Sequence, residues 1–263
     1  MNWMKKVAVA LVCLLPLGLQ AAKVDTLQVK SPSMNKSIEV VVVSPDMAAT
    51  EACPVIYLLH GYGGNARTWV GIKPDLPKIA DEKGIFFVCP DGKNTWYWDS
   101  PLNADVRYET FISDELVKYV DSHYKTVADR KGRAITGLSM GGHGAMWNGL
   151  RHSDVFSAAG STSGGVDIRP FPKNWEMSVQ IGEKAKYPEN WEKYTVINLV
   201  PTLRKDQIAL IFDCGDSDFF LEVNKNYHDF ITRPGNHDSQ YWNNSIDYQI
   251  LFFWKHFLKM KAL

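Results

Sequence analysis

The chain has 263 residues, with 29 lysines and arginines against 29 aspartates and glutamates. That length can bury one substantial core, and a balanced charge without a dominant basic patch argues against nucleic acid as a main partner. No Cys-x-x-Cys or His-Glu-x-x-His spacing occurs, so the sequence predicts neither a metal nor a cofactor.

The first 21 residues are typical of a signal peptide. Lys5 and Lys6 precede an apolar run over Val7–Leu19, and the small residues Ala21 and Ala22 follow. A membrane anchor is the alternative, but the run is shorter than the ~20 apolar residues that span a bilayer. We therefore expect cleavage after Ala21 or Ala22, a periplasmic or secreted protein, and no stable membrane insertion after cleavage. Residues 22–263 are then expected to form a single domain.

After this leader, strand-like apolar runs alternate with amphipathic segments. The first two strands are joined by a polar turn, which predicts an antiparallel edge hairpin, and the third is continuously apolar, as in a buried parallel strand. The predicted strands are Thr26–Lys30, Ile38–Val43, Val55–Leu59, Ile85–Val88, Arg133–Leu138, Val155–Gly160, Gln207–Phe212 and Asp229–Arg233. The predicted helices are Leu76–Lys83, Tyr108–Tyr124, one that begins at Met140, and Asp247–Met260. The pattern predicts an α/β fold with a mostly parallel, eight-stranded sheet and helices on both faces.

The strand Val55–Leu59 runs into His60-Gly61-Tyr62-Gly63-Gly64-Asn65. Glycines in such a loop let the backbone approach a ligand closely, so that an N–H can face a developing oxyanion. We assign this donor to Tyr62, with Gly63 as the neighbouring alternative.

A second loop, Asn94–Pro101, carries three consecutive aromatic residues from Trp96 to Trp98. Aromatic residues on a loop either anchor it or form walls of a binding site, and the sequence favours the two interpretations equally for Trp96 and Trp98. We retain both tryptophans as candidate substrate-binding residues.

The stretch Ile135–Gly142 contains Gly-x-Ser-x-Gly after an apolar, strand-like start. This pattern is typical of a nucleophile elbow, in which a sharp strand-to-helix turn presents a serine hydroxyl. Ser139 is therefore the candidate nucleophile, and the N–H of Met140, at the start of the helix, is the second candidate oxyanion donor. His143 lies one turn further along, too near in sequence to approach Ser139 correctly, and is interpreted as a packing or hydrogen-bonding residue.

Residues Val166–Leu199 differ in character, with three prolines and scattered aromatic residues such as Trp175. Their weak periodicity predicts an insertion over the carboxyl edge of the sheet, where lids and substrate walls lie. We expect this segment to influence substrate choice, and Trp175 is a candidate substrate-binding residue.

A serine nucleophile of this kind requires an acid and then a histidine, in that chain order. Asp213, Asp216 and Asp218 follow the predicted strand Gln207–Phe212. Asp213 lies at the strand end and is expected to fix the turn, so Asp218 is the chosen acid and Asp216 the alternative. His237, displayed on a turn, is the candidate base. The rival histidines by residue type are His60, His228 and His256.

Five motifs occur in order over nearly the whole chain after the leader. They are His60–Gly64, Trp96–Pro101, Gly137–Ala145, Asp213–Leu221 and Gly235–Asp238. Together they resemble the esterase D-like family, which includes S-formylglutathione hydrolases, tributyrin esterases, and the acetylxylan and feruloyl esterases of carbohydrate esterase family 1. The resemblance implies an α/β-hydrolase fold without a large cap domain. It supports Asp218 over Asp216, and Tyr62 and Met140 as oxyanion donors.

One departure from that family bears on the substrate. S-formylglutathione hydrolases carry a loop with threonine and cysteine after His-Gly, whereas this chain has Tyr62-Gly63-Gly64-Asn65. Together with the predicted leader, this argues against a cytosolic glutathione thioester.

The sequence therefore predicts an exported serine carboxylesterase that acts on a small-molecule or saccharide ester through an acyl-enzyme. An acyltransferase with the same three residues is the first alternative, and a non-catalytic carbohydrate-binding protein is the second. The sequence does not distinguish among acetyl, other short acyl and feruloyl groups as the acyl part of the ester.

Overall fold

The computed structural model describes residues 22–225 and 231–263. The predicted signal peptide, residues 1–21, and His228 lie outside the described residues. Among the described residues, no helix combines the length and apolar character that crossing a membrane requires.

Eight strands of the described part of the chain form one sheet, in the order β1-β2-β4-β3-β5-β6-β7-β8. β1 pairs with β2, and β2 with β4, in antiparallel fashion, and all other neighbours are parallel. The strands are β1 (Lys23–Ser31), β2 (Lys36–Ser44), β3 (Val55–Leu59), β4 (Phe86–Pro90), β5 (Arg133–Gly137), β6 (Ala158–Thr162), β7 (Ala209–Gly215) and β8 (Ile231–Arg233).

Helices cover both faces of this sheet. They are α1 (Thr68–Ile72), α2 (Leu76–Lys83), α3 (Tyr108–Thr110), α4 (Leu116–His123), α5 (Met140–Arg151), α6 (Met177–Ile181), α7 (Pro188–Lys193), α8 (Leu221–Lys225) and α9 (Ser239–Lys259). A π-helical turn, Phe111–Glu115, joins α3 to α4. The predicted α/β-hydrolase fold is confirmed, and residues 22–225 and 231–263 contain no large cap domain.

Alternate residues of the central strands supply two separate hydrophobic layers. Val40 and Val42 of β2 pack in the layer that contains α4 and α5, whereas Val41 and Val43 pack in the layer that contains α2 and α9. Successive side chains of a strand point to opposite faces, which explains why the run from Val40 to Val43 is buried throughout. The sheet is thereby fixed between two layers, and the carboxyl ends of its parallel strands carry the loops described below.

Several predicted boundaries differ from the structure, including the starts of the last helix and of β6. The last helix begins at Ser239 rather than Asp247, because the side chain of Asp238 caps it and accepts a hydrogen bond from the N–H of Tyr241 at 2.9 Å. β6 begins at Ala158 rather than Val155, since the N–H groups of Val155 and Phe156 bond the carbonyl of His152 at the end of α5.

Candidate active site

The turn between β5 and α5 holds Ser139 in a strained conformation. Its φ is 54° and its ψ is −118°, which a residue with a side chain rarely adopts. The N–H of Leu138 donates to the carbonyl of Leu59 at 3.2 Å, and the N–H of Ser139 donates to the carbonyl of Thr162 at 3.0 Å. Both neighbouring strands therefore support the turn.

Glycines at Gly137 and Gly141 permit this turn because the backbone is crowded on both sides. A Cβ at Gly137 would lie 2.4 Å from the carbonyl oxygen of Gly141. A Cβ at Gly141 would lie 2.2 Å from the carbonyl oxygen of Leu59. Side chains at these positions would therefore force β3, β5 and α5 apart.

The structure brings together the three residues predicted for catalysis. The Oγ of Ser139 lies 2.9 Å from Nε2 of His237, and Nδ1 of His237 lies 2.9 Å from Oδ2 of Asp218. The side chain of Asp218 is fully buried, and its Oδ1 accepts the N–H of Phe220 at 2.7 Å. With the carboxylate held in this way, Nδ1 of His237 carries the proton that bonds Asp218, and Nε2 is free to accept the proton of Ser139.

The competing aspartates have other partners. Oδ1 of Asp213 accepts from the hydroxyls of Thr162, Tyr241 and Ser245, and its Oδ2 accepts from Nε2 of Gln249 at 2.8 Å. Asp213 therefore joins the end of β7 to β6 and α9, rather than fixing the turn that follows the strand.

Asp216, the alternative acid, contacts the Ser217 hydroxyl and the N–H of Gly235 and does not contact His237. Of the rival bases, the ring of His256 contacts the Ser157 hydroxyl at 2.9 Å. The acid and base that face Ser139 are therefore Asp218 and His237.

The loop His60–Asn65, which carries the candidate oxyanion donor Tyr62, lies directly against Ser139. A Cβ added at Gly61 would come within 3.3 Å of the Cβ of Ser139. The N–H of Gly63 donates to Oδ1 of Asn94 at 2.9 Å and is therefore occupied. Among the hydrogen bonds of the described residues, none engages the N–H of Tyr62 or that of Met140. The structure thus leaves Tyr62, rather than Gly63, as the donor available beside Met140.

A buried network holds the peptide that carries the Tyr62 N–H. Nδ1 of His60 donates to the carbonyl of Gly61 at 2.7 Å, and Nε2 accepts the N–H of Gly92 at 2.9 Å. Because the Gly61 carbonyl bonds on that side, the Tyr62 N–H of the same planar peptide points the opposite way. The hydroxyl of Tyr97 donates to the carbonyl of His60 at 3.0 Å and secures the loop from a third direction.

Trp96 and Trp98 are not accessible to substrate, so their predicted role as substrate walls is wrong. Their exposed fractions are 1% and 0%. Nε1 of Trp96 donates to the carbonyl of Trp175 at 3.1 Å, and Nε1 of Trp98 donates to Nε2 of His143 at 3.0 Å. Both side chains turn inward because their indole N–H groups have partners there, and they anchor the loop.

His143 is a buried hydrogen-bonding residue, as predicted. Its Nδ1 contacts the carbonyl of Gly165 at 2.8 Å, and its Nε2 accepts from Trp98. Burial lowers the pKa of His143 to about 4, so the ring is neutral near pH 7. With both nitrogens engaged, it cannot serve as the base for Ser139.

Trp175 lines the catalytic cavity, and its role in substrate binding stays a prediction. The cavity has a volume of about 390 Å³ and is lined by Ser139, His237 and a set of aromatic side chains. These aromatic residues are Tyr62, Trp175, Phe219 and Trp242. Trp175 stacks on Phe219 with ring centroids 5.7 Å apart and an interplanar angle of 20°. One side of the cavity is therefore a flat aromatic wall.

Sequence reasoning missed two residues that flank the base. The ring centroids of Phe219 and Trp242 lie 4.2 and 5.1 Å from that of His237. Phe219 directly follows Asp218 and could have been found from that position. Trp242 lies in the first turns of α9, which the predicted helix start at Asp247 excluded.

The fold and the constellation of Ser139, His237 and Asp218 define a serine hydrolase of the α/β-hydrolase class. The profile of the Esterase family matches residues 31–253, and the chain belongs to this family. The predicted membership of the esterase D-like, carbohydrate esterase family 1 type is thereby confirmed, and the protein is an ester hydrolase.

Three similar proteins illustrate this family relationship. An acetyl esterase from Caldicellulosiruptor saccharolyticus is 25% identical over 225 residues, which span 75% of this chain and 82% of the relative. An S-formylglutathione hydrolase from Mus musculus is 22% identical over 198 residues, which span 67% of this chain and 68% of the relative. The solved structure of a ferulic acid esterase is 28% identical, has a TM-score of 0.76, and matches 90% of this chain and 99% of its own.

Proposed function

We propose that this protein is an exported serine carboxylesterase that forms an acyl-enzyme on Ser139. The observation that carries the proposal is the continuous hydrogen-bonded series from Ser139 Oγ through His237 to Asp218, with both contacts at 2.9 Å. Export is proposed from the leader-like composition of residues 1–21.

In the acylation half-reaction, Nε2 of His237 removes the proton of Ser139 as Oγ bonds the ester carbonyl carbon. The carbonyl oxygen gains the negative charge and accepts hydrogen bonds from the N–H groups of Tyr62 and Met140. When the intermediate collapses, the bond to the alcohol oxygen breaks, and His237 gives its proton to that oxygen. Asp218 stabilises the imidazolium between these steps.

Water completes the cycle in the deacylation half-reaction. His237 removes a proton from water as its oxygen bonds the acyl carbon, and the same two N–H groups bind the second oxyanion. Collapse breaks the bond to Ser139 Oγ, which recovers the proton from His237, and the carboxylic acid leaves.

The aromatic wall supports the proposal of a compact or planar acyl group. Trp175 and Phe219 stack beside Ser139 and offer a flat apolar surface. Acetyl, other short acyl and feruloyl groups are the proposed range, in keeping with the acetyl esterase and ferulic acid esterase to which the chain is similar.

A panel of esters tests the proposal. We expect hydrolysis of p-nitrophenyl acetate and butyrate and of methyl ferulate, with kcat/KM falling for long, saturated acyl chains that extend beyond the wall. The same reactions with added acceptor alcohols distinguish hydrolysis from acyl transfer, because transfer yields a new ester in place of free acid. The absence of turnover for every ester would contradict the proposal.

Removal of the Tyr97 hydroxyl tests how the oxyanion donor is positioned. Tyr97→Phe deletes the hydrogen bond to the His60 carbonyl, and we expect kcat for p-nitrophenyl acetate to fall about 3- to 10-fold with little change in KM. The matched control is Tyr57→Phe, because Tyr57 is equally buried and its hydroxyl has no partner among the described residues. Equal kcat values in the two variants would show that Tyr97 does not position the loop.

A further inference from the structure

We propose that Glu176, in the inserted segment Val166–Leu199, is a positioning residue for the loop His60–Asn65. This inference rests on the proposed function, because the loop carries the Tyr62 N–H that would bind the oxyanion. Glu176 is not among the described residues that line the catalytic cavity, so it acts through the residues that it contacts. Those residues are Asn94, at the start of another loop, and Tyr62 itself.

The Glu176 carboxylate determines which way the Asn94 amide points. An ionised carboxylate only accepts hydrogen bonds, so it faces the amide nitrogen, and Nδ2 of Asn94 donates to Oε2 of Glu176 at 3.2 Å. The amide oxygen is then directed to the loop, where Oδ1 accepts the N–H of Gly63 at 2.9 Å. A reversed amide would bring two donors together at Gly63 and two acceptors together at Glu176. The carboxylate of Glu176 thus holds the peptide that follows Tyr62.

The two peptides that flank Tyr62 are held by different parts of the structure. His60 holds the preceding peptide through the carbonyl of Gly61, at 2.7 Å, and Asn94 holds the following one. With both planar peptides held, the backbone of Tyr62 has one orientation, and so does its N–H. Loss of the Asn94 contact would leave the loop supported on one side of Tyr62 only.

Glu176 also acts on the side chain of Tyr62. This side chain is 38% exposed, so packing alone holds its ring weakly. Partial burial, the negative charge of Glu176 and a hydrogen bond to that carboxylate raise the pKa of Tyr62. The Tyr62 hydroxyl therefore stays protonated near neutral pH and donates to Glu176. Both contacts of Glu176 thus act on the same loop.

The backbone at Glu176 adopts an unfavourable conformation. Trp175 and Glu176 have φ values of 48° and 54°, in the left-handed region that residues with a side chain rarely adopt. Strained residues persist where surrounding contacts fix them. Here the carbonyl of Trp175 accepts from Nε1 of Trp96 at 3.1 Å, and Glu176 contacts Asn94. One turn of the inserted segment therefore places the Trp175 ring at the catalytic cavity and the Glu176 carboxylate against the support of the loop.

Removal of the Glu176 carboxylate tests the proposal. Glu176→Ala should lower kcat for p-nitrophenyl acetate about 3- to 10-fold, because a less ordered loop binds the oxyanion less well. KM should change by less than about twofold, since binding of the ground-state ester does not depend on that donor. Glu176→Gln keeps an oxygen that accepts from Asn94 and Tyr62, so its kcat should lie within about twofold of that of the unmodified protein.

Glu189→Ala is the matched control, because Glu189 is exposed in the same inserted segment and does not line the catalytic cavity. Its kcat should be unchanged. A second comparison adds Glu176→Ala to protein that already carries Asn94→Ala and Tyr62→Phe. Both partners of Glu176 are then lost, so the added substitution should change kcat by less than about twofold.

Three results would overturn the role of Glu176 while leaving the proposed esterase intact. They are an unchanged kcat in Glu176→Ala protein, a kcat in Glu176→Gln protein as low as that with alanine, and a full further fall when Glu176→Ala is added to the Asn94→Ala and Tyr62→Phe protein. Unmodified protein that hydrolyses no ester would instead contradict the proposed function.

Discussion

Ser139→Ala is expected to lower kcat for p-nitrophenyl acetate by about 10⁴- to 10⁶-fold. The substitution removes the hydroxyl oxygen that His237 activates for attack on the ester carbonyl carbon, while the oxyanion donors remain. The residual rate then reflects binding and the oxyanion site alone. The measurement is the initial rate of p-nitrophenolate release at saturating substrate, with urea unfolding to verify that the variant is folded.

Ser122→Ala is the control for this substitution, because Ser122 is exposed on α4 and is absent from the lining of the catalytic cavity. Its rate should equal that of the unmodified protein. Ser139→Ala protein that is folded and retains the full rate would refute the role of Ser139 as nucleophile.

Gly141→Ala is expected to destabilise the fold strongly. The new Cβ would lie 2.2 Å from the carbonyl oxygen of Leu59 and 2.5 Å from that of His60. These are backbone atoms at the end of a central strand, so they cannot rotate away as a side chain would. We expect a loss of about 3 kcal/mol in the free energy of unfolding, and a Tm lower by about 6–12 °C.

Gly71→Ala provides the comparison for this effect. Gly71 lies in α1, and an added Cβ there meets no atom within 4 Å. Alanine in a helix is favoured over glycine, so the free energy of unfolding should rise by about 0.5–1 kcal/mol. If thermal unfolding shows the same Tm for Gly141→Ala and Gly71→Ala, the crowding at the elbow does not constrain the fold.

Some elements could be predicted in full because their signals are local. The helix Leu76–Lys83 has a proline at its start and Gly84 with a φ of 64° at its end, and both signals are visible in the sequence. The continuously apolar run Val55–Leu59 likewise marks a strand buried on both faces. The nucleophile elbow around Ser139 also has a local signature, the sequence Gly-x-Ser-x-Gly.

Other features depend on contacts between distant segments and could not be predicted from local patterns. Trp96 and Trp98 turn inward because Trp175 and His143, far along the chain, accept their indole N–H groups. The choice of Tyr62 over Gly63 as the free donor depends on Asn94, which lies on another loop.

The start of α9 has a local signal in the sequence. Asp238 is a favoured N-cap residue and directly follows His237, so the base is placed by a helix start. A helix capped by Asp238 contains Trp242 in its first turns, beside the ring of His237. The N-cap therefore predicts the position of some of the residues that surround His237.

The central claim is that Ser139 becomes covalently modified during turnover, and a serine-directed phosphonylating reagent tests it most directly. Intact-mass measurement followed by peptide mapping should show one phosphonyl group per chain, on the peptide that contains Ser139, and none on Ser139→Ala protein. Loss of esterase activity should match the fraction modified. A modification located on another residue, or complete inactivation with Ser139 unmodified, would contradict the proposed mechanism.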